Sequence, residues 1–221
     1  MATGESGCAS LLAGDERIPW DSDKPYYPPH IYLDNRAYFI TAGTFDRRPL
    51  LATDDAKSVL REELRSAVEQ VGIELVAWVI LDNHYHVLVH IKSKEQVVRF
   101  TRRLHSITAI RLNRLHAQPG RRVWRNYWDY CPRNEKDFYR VLNYIHINPA
   151  KHGVLSEPIG LGTRSDGMIR LSGADAMGLH ERLLGYTYSS YASFVRQHGH
   201  EGMAALWRDY PIPDAWQGDE F

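Results

Sequence analysis

Between residues 36 and 149 the spacing of apolar residues switches repeatedly between the period of a strand and that of a helix. Tyr38-Phe39-Ile40-Thr41-Ala42-Gly43-Thr44 is β-branched and aromatic enough for a strand. Thr53 can cap a following helix, with Asp54 and Asp55 favoured by the dipole in its first turn. Ala56, Val59, Leu60, Leu64, Ala67, Val68 and Val71 keep helical spacing up to Gly72, a suitable stop. Residues 73–81 are apolar on both faces, as a central strand should be. Asp82-Asn83 then reads as a tight turn into a second strand, residues 84–91, and so as a hairpin. Ser93-Lys94-Glu95-Gln96 matches a capping box and opens a helix to about His116, with Val97, Phe100, Leu104 and Ile107 inward. Gln118-Pro119-Gly120 ends it, and residues 123–130 predict a fourth strand. Asn134 caps a third helix that runs through Asn148, where Pro149 disfavours continuation.

The order strand, helix, strand, strand, helix, strand, helix predicts a ferredoxin-like α+β sandwich. Its antiparallel sheet carries two helices on one face and a third near the other. Residues 1–36, rich in Gly, Ser, Asp and Pro, read as an extended arm. Residues 37–153 read as the core domain, expected to be the catalytic one on the resemblance given below, and 154–221 as an insertion and C-terminal extension. Within that extension, 156–185 is glycine-rich and poorly periodic, ahead of a segment containing residues 186–191.

Composition narrows the setting. With 221 residues, 43% hydrophobic and 24% charged, the chain reads as globular. No apolar run approaches the roughly twenty residues that span a bilayer, and the first twenty positions lack a secretory pattern. Cys8 and Cys131 are the only cysteines, which speaks against a disulfide framework and for a reducing cytoplasm. Formal charge is zero, against indiscriminate coating of nucleic acid. The distribution differs: residues 96–128 contain no Asp or Glu but eight arginines, Arg99, Arg102, Arg103, Arg111, Arg114, Arg121, Arg122 and Arg125. We read a local basic surface facing a polyanion, with a solvated helix face as the competing explanation.

The chemistry concentrates in the hairpin and the third helix. On a strand, His84 and His86 project to one side while Tyr85, Val87, Val89 and Ile91 project to the other. On the helix, Phe138, Val141, Leu142 and Ile145 form the apolar stripe, and Tyr144 and Asn148 share a neighbouring flank one turn apart. If that flank faces the histidines, His84, His86 and the Asn148 side-chain oxygen form a ligand set compatible with Mg²⁺ or Mn²⁺, beside the Tyr144 hydroxyl. A tyrosine is almost wholly protonated at neutral pH, so attack on a phosphodiester requires such electrostatic help. Each element has an ordinary alternative: a lone strand histidine or helix tyrosine is usually structural, and Asn148 before Pro149 suits a helix end. Trp124, Tyr127, Trp128 and Tyr130 interleave with Arg121, Arg122 and Arg125, as stacking surfaces for unpaired bases or as a buried strand. His90 shares parity with the histidine pair and reads as structural or peripheral.

These residues carry a resemblance. Tyr38-Phe39-Ile40-Thr41, Asn83-His84-Tyr85-His86, Val123-Trp124, the run Tyr144-Ile145-His146-Ile147-Asn148-Pro149-Ala150-Lys151-His152-Gly153 and Tyr188-Ser189-Ser190-Tyr191 resemble the REP-associated tyrosine transposases. These are relatives of the single-tyrosine HUH transposases, which take their name from a His-hydrophobic-His motif. The resemblance implies an endonuclease and strand transferase, dependent on Mg²⁺ or Mn²⁺, that acts on single-stranded DNA near palindromic hairpin repeats. It makes Tyr144 the nucleophile that forms a 5′-phosphotyrosine, and His84, His86 and Asn148 the metal ligands. Candidates for DNA contact are Arg99, Arg102, Arg103, Arg121, Arg122, Arg125, Trp128 and Lys151. A monomer is expected, a dimer is compatible, and the location expected is cytoplasmic, at the nucleoid. The chain departs from the pattern at Tyr85, where a smaller aliphatic residue is usual, at Asp82, where Pro is common, and in the length of residues 154–187. Two rivals remain: a host-adopted nucleic-acid-binding protein without turnover, and a metallonuclease that uses water in place of Tyr144.

Overall fold

A computed structural model describes residues 33–155, 167–169 and 173–213; most of the expected N-terminal arm lies outside them. Four strands form one antiparallel sheet: β1 (Arg36–Gly43), β2 (Glu74–Ile80), β3 (His84–Ile91) and β4 (Trp128–Tyr130), in the spatial order β2-β3-β1-β4. Two helices, α1 (Asp54–Val71) and α2 (Glu95–Leu115), cover one face. There Leu60, Leu64, Phe100 and Leu104 pack with Tyr38, Ile40, Tyr85 and Val87. A third helix, α3 (Glu135–Lys151), lies on the other face with Phe39, Ala77, Val79 and Leu88. This is the ferredoxin-like arrangement expected from the element order.

Local chemistry explains the boundaries. Thr53 Oγ1 accepts from the Ala56 amide at 3.2 Å, and Gly72 closes α1 with φ +71°, a left-handed conformation that costs a glycine little. Gln96 Oε1 accepts from the amides of Lys92 and Ser93 at 2.7 and 3.0 Å, the reciprocal half of a capping box. Asn134 Oδ1 accepts from the Asp137 amide at 2.9 Å and starts α3.

Three expectations are corrected. The fourth strand is shorter than residues 123–130, because Trp124 and Trp128, although of equal parity, point to opposite faces. Trp124 is buried on the α1/α2 side, donates to Thr108 Oγ1 at 2.9 Å and meets β1 only in an isolated bridge to Thr44; Trp128 packs toward α3. Regular pairing cannot bridge such a change of face. Next, α3 passes through Pro149 to Lys151. The proline removes a single donor close to the helix end, and the His152 amide still reaches the Asn148 carbonyl at 3.0 Å.

The third correction concerns residues 154–221, which contain ordered structure: β5 (Met168–Ile169), α4 (Gly173–Gly185), α5 (Tyr191–Asp209) and β6 (Ile212–Pro213), with β5 paired to β6. Leu179, Leu183, Tyr191, Phe194 and Trp207 join the core around α3. As a result α3 is buried on every side from Val141 to Ala150. Between α4 and α5 the chain runs along the outer edge of β2. The Ile80 amide donates to the Tyr188 carbonyl and the Ser190 amide to the Trp78 carbonyl, each at 2.9 Å. These bonds cover an otherwise open sheet edge. No described helix is long and apolar enough to cross a membrane.

Candidate active site

Alternation along β3 sends His84 and His86 toward α3, opposite Gly43 and Thr41 of β1. Their ring centroids lie 4.8 Å apart. On α3, Tyr144, Asn148 and Lys151 follow one another at steps of four and three and form a stripe. The Tyr144 ring stands edge-on to His86 at 5.3 Å and to Phe39 at 5.8 Å, and Phe39 itself stacks on His86 at 5.4 Å. The flank of α3 therefore does face the histidines, the condition left open by the sequence.

Asn148 is the unusual member. It is fully buried, yet neither its Oδ1 nor its Nδ2 has a hydrogen-bond partner. An unpaired buried amide costs on the order of 1–3 kcal/mol per group, a cost that a bound ligand would relieve. His84 is oriented from behind: its Nδ1 donates to Asn83 Oδ1 at 2.6 Å, which places the imidazole lone pair on Nε2. Two imidazoles and an amide oxygen suit a divalent cation with open positions. Among the described residues no group of three His, Cys, Asp or Glu side chains is placed to hold a metal; the Asn148 amide oxygen would be the third donor beside the two imidazoles.

The end of α3 adds two groups. Lys151 Nζ lies 5.1 Å from the centre of the Tyr144 ring, so this expected DNA contact stands beside the candidate nucleophile. The His152 ring lies 4.7 Å from that of His84. No role had been assigned to His152, because a helix ending at Asn148 gives no reason to place it there.

The expected DNA-contacting residues are dispersed. Arg99 and Arg102 are exposed and Arg103 half-buried on α2, across the sheet from the histidines. Arg111 is engaged with Glu62 and Glu63 of α1 at 2.8 and 2.6 Å. Arg121 braces its own loop, donating to Asn113 Oδ1, Gln118 Oε1 and His116 Nδ1. Arg122 and Arg125 are exposed near the His84 end of the sheet, where the Arg125 amide donates to the Gly43 carbonyl. Trp128 stacks parallel to Tyr130 at 6.1 Å and meets Phe39 edge-on at 5.9 Å, one ring away from His86 and Tyr144. His90 sits beyond Leu88, opposite Glu74 of β2.

For this ferredoxin-like sheet with paired histidines facing a helix-borne tyrosine, comparison with known proteins is specific. The family model described as "Transposase IS200 like" matches residues 34–148. The chain is 28% identical over 123 residues to the REP-associated tyrosine transposase of Escherichia coli (strain K12), covering 55% of this chain and 71% of that one. It is 30% identical over 128 residues to a Haemophilus influenzae (strain ATCC 51907 / DSM 11121 / KW20 / Rd) counterpart, covering 52% and 71%. The fold also superposes on a REP-associated tyrosine transposase solved bound to a REP hairpin, with TM-score 0.51 and 18% identity over 80% of this chain and 87% of that one. The chain belongs to the IS200-like transposase family, in its REP-associated tyrosine transposase group. It is therefore a transposase-type enzyme.

Proposed function

We propose that this protein cleaves and rejoins single-stranded DNA beside hairpin-forming repeats, through a covalent 5′-phosphotyrosine on Tyr144 and with a divalent cation, Mg²⁺ or Mn²⁺. The observation that carries the reading is the buried, unpartnered Asn148 amide one helical turn from Tyr144, whose ring meets His86, itself adjoining His84. His84, His86 and Asn148 would hold the cation, which supplies Lewis-acid polarisation of a phosphate oxygen. The residues of the chain do the rest. Asn83 fixes the His84 tautomer, Phe39 fixes the planes of His86 and Tyr144, and Lys151 stands over the Tyr144 ring, where its ammonium can contact the phosphate. The Tyr144 oxygen forms a bond to phosphorus as the bond from phosphorus to the 3′ oxygen breaks. The phenol gives up one proton and the departing 3′ oxygen takes up one, so the step balances. Because the phosphotyrosine retains a diester linkage, reversal with another 3′ hydroxyl rejoins strands without a nucleotide cofactor. A hairpin substrate accords with the ligand of the structurally similar transposase. We read residues 37–153 as the catalytic unit.

The test is a denaturing gel with labelled hairpin DNA from the genomic neighbourhood, in Mn²⁺ or EDTA. A metal-dependent, protease-sensitive adduct in wild type and none in Tyr144→Phe is expected. Cleavage that survives Tyr144→Phe selects a water-using nuclease, and tight binding without cleavage under any metal selects a binding protein.

A further inference from the structure

Beside the His84 end of the sheet, residues 44–48 make a strained loop. Asp46 and Arg47 are consecutive non-glycine residues in the left-handed region, at φ +54° and +52°. Each such residue costs on the order of 1 kcal/mol or more and persists only where its surroundings enforce it. Here they do. The Thr44 amide donates to the Asn83 carbonyl at 2.8 Å, the Phe45 amide to the Val123 carbonyl at 2.7 Å, and the Thr44 hydroxyl to the Arg48 carbonyl at 2.5 Å. The loop presents Arg47 and Arg48 to solvent, next to a second exposed pair, Arg122 and Arg125, on the segment bonded to it. The Arg122 guanidinium lies over the Phe45 ring at 4.5 Å, which ties the two segments together. The only acid in the loop, Asp46, reaches Arg48 at 3.8 Å in an exposed pair of the weak surface kind. Burial, and after it the like charge of Arg48, lowers the pKa of Arg121. Asn83 joins this patch to the histidines: its Nδ2 donates to the Arg47 carbonyl at 3.2 Å while its Oδ1 accepts from His84 at 2.6 Å.

We infer that Arg47 and Arg48, with Arg122 and Arg125, form a phosphate-binding subsite for the single strand adjoining the scissile linkage, held in register with His84 through Asn83. The inference rests on the proposed action on single-stranded DNA and adds where the strand runs. A fixed loop loses little conformational entropy when it meets a phosphate, which explains why strain is retained there. The arginines of α2, on the other side of the sheet, are not adjacent to the histidines in this way.

The experiment is fluorescence anisotropy of the full chain in EDTA, across a salt series, with a labelled hairpin oligonucleotide bearing a single-stranded flank. The double variant Arg47→Gln/Arg48→Gln is compared with the charge-matched Arg65→Gln/Arg196→Gln, and circular dichroism verifies that both fold. Loss of two single-strand phosphate contacts lowers the salt slope by about 1.4 and weakens binding about tenfold near 0.1 M salt. Methylphosphonate linkages in the flank, which remove its charge, are expected to erase the difference between wild type and the loop variant. An unchanged slope in a folded loop variant, or an equal loss in the control, overturns the subsite while leaving DNA binding by the wild type intact. No binding by the wild type overturns the functional reading itself.

Discussion

The two faces of β3 are built differently although the same eight residues form them. Toward α1 and α2, Tyr85 Oη shares a hydrogen bond with His105 Nε2 at 2.9 Å, the His105 ring stacks on Trp124 at 4.9 Å, and Trp124 Nε1 donates to Thr108 Oγ1 at 2.9 Å. Thr108 Oγ1 passes the series to the Leu104 carbonyl at 2.6 Å. Toward α3, the rings of His84, His86 and Tyr144 adjoin one another, and the Asn148 amide, one helical turn from Tyr144, has no hydrogen-bond partner. Both faces contain imidazole and phenol, so residue type alone does not distinguish them. The difference is in hydrogen bonding: on one side Tyr85, Trp124 and Thr108 are linked to partners within the fold, and on the other the Asn148 amide is left unsatisfied.

The sharpest way to break this comparison is to remove one phenolic oxygen from each face. On the α3 side, Tyr144→Phe is expected to abolish the covalent DNA adduct, a loss of at least about a thousandfold on a denaturing gel, because no neighbouring group replaces a nucleophile. On the other side, Tyr85→Phe is expected to leave adduct formation in place.

The paired asparagines of α3 give the next largest contrast. Asn148→Leu removes a group whose amide is already unbonded, so calorimetric stability should hold or rise by about 1 kcal/mol, while Mn²⁺ binding by titration calorimetry falls at least about tenfold. Asn143 instead donates to the carbonyls of Leu206 and Tyr210, each at 2.9 Å. Asn143→Leu should therefore destabilise the fold by about 2 kcal/mol, read from urea midpoints.

Acid should separate the buried imidazoles from the rest. Burial pushes His105 down to about 4 and His146 down to about 3. Unfolded histidines take up a proton near pH 6.5, so between that value and the depressed ones the unfolded state binds more protons. This contribution to stability is complete above about pH 6.5 and declines as pH falls toward 4 and then 3. Urea midpoints should drop between about pH 7 and about pH 5, less steeply in His105→Gln. The smallest effect belongs to Tyr85→Phe itself, about 1 kcal/mol of stability by thermal melting, from the lost bond to His105.

Local patterns made the hairpin, three helix caps and the histidine pair legible in the sequence, because strand alternation and side-chain capping act within a few residues. Tyr144 and Asn148 were legible as partners through helical spacing, but their approach to the sheet was a condition that tertiary packing had to meet. What could not be read came from longer-range causes. The opposite facing of Trp124 and Trp128 reflects an irregular stretch beside β1, which strand parity alone does not anticipate. Lys151 and His152 reach the site because burial carries α3 past Pro149, against the local preference of that residue. The glycines of α4 hid a helix whose stability comes from packing around Leu179 and Leu183. Arg47 and Arg48 went unnoticed because nothing in the sequence places their loop beside Asn83.

The Tyr144 side chain has 0% exposed surface. Under the proposed mechanism a hydroxyl in that position meets a phosphodiester only once α3 shifts, so DNA engagement would have to bring the nucleophile out. The nearby turn at Pro149 has one fewer backbone hydrogen bond than a regular helix end and is the natural place to yield. On that proposal, the helix that carries the nucleophile would also be the one that withholds it.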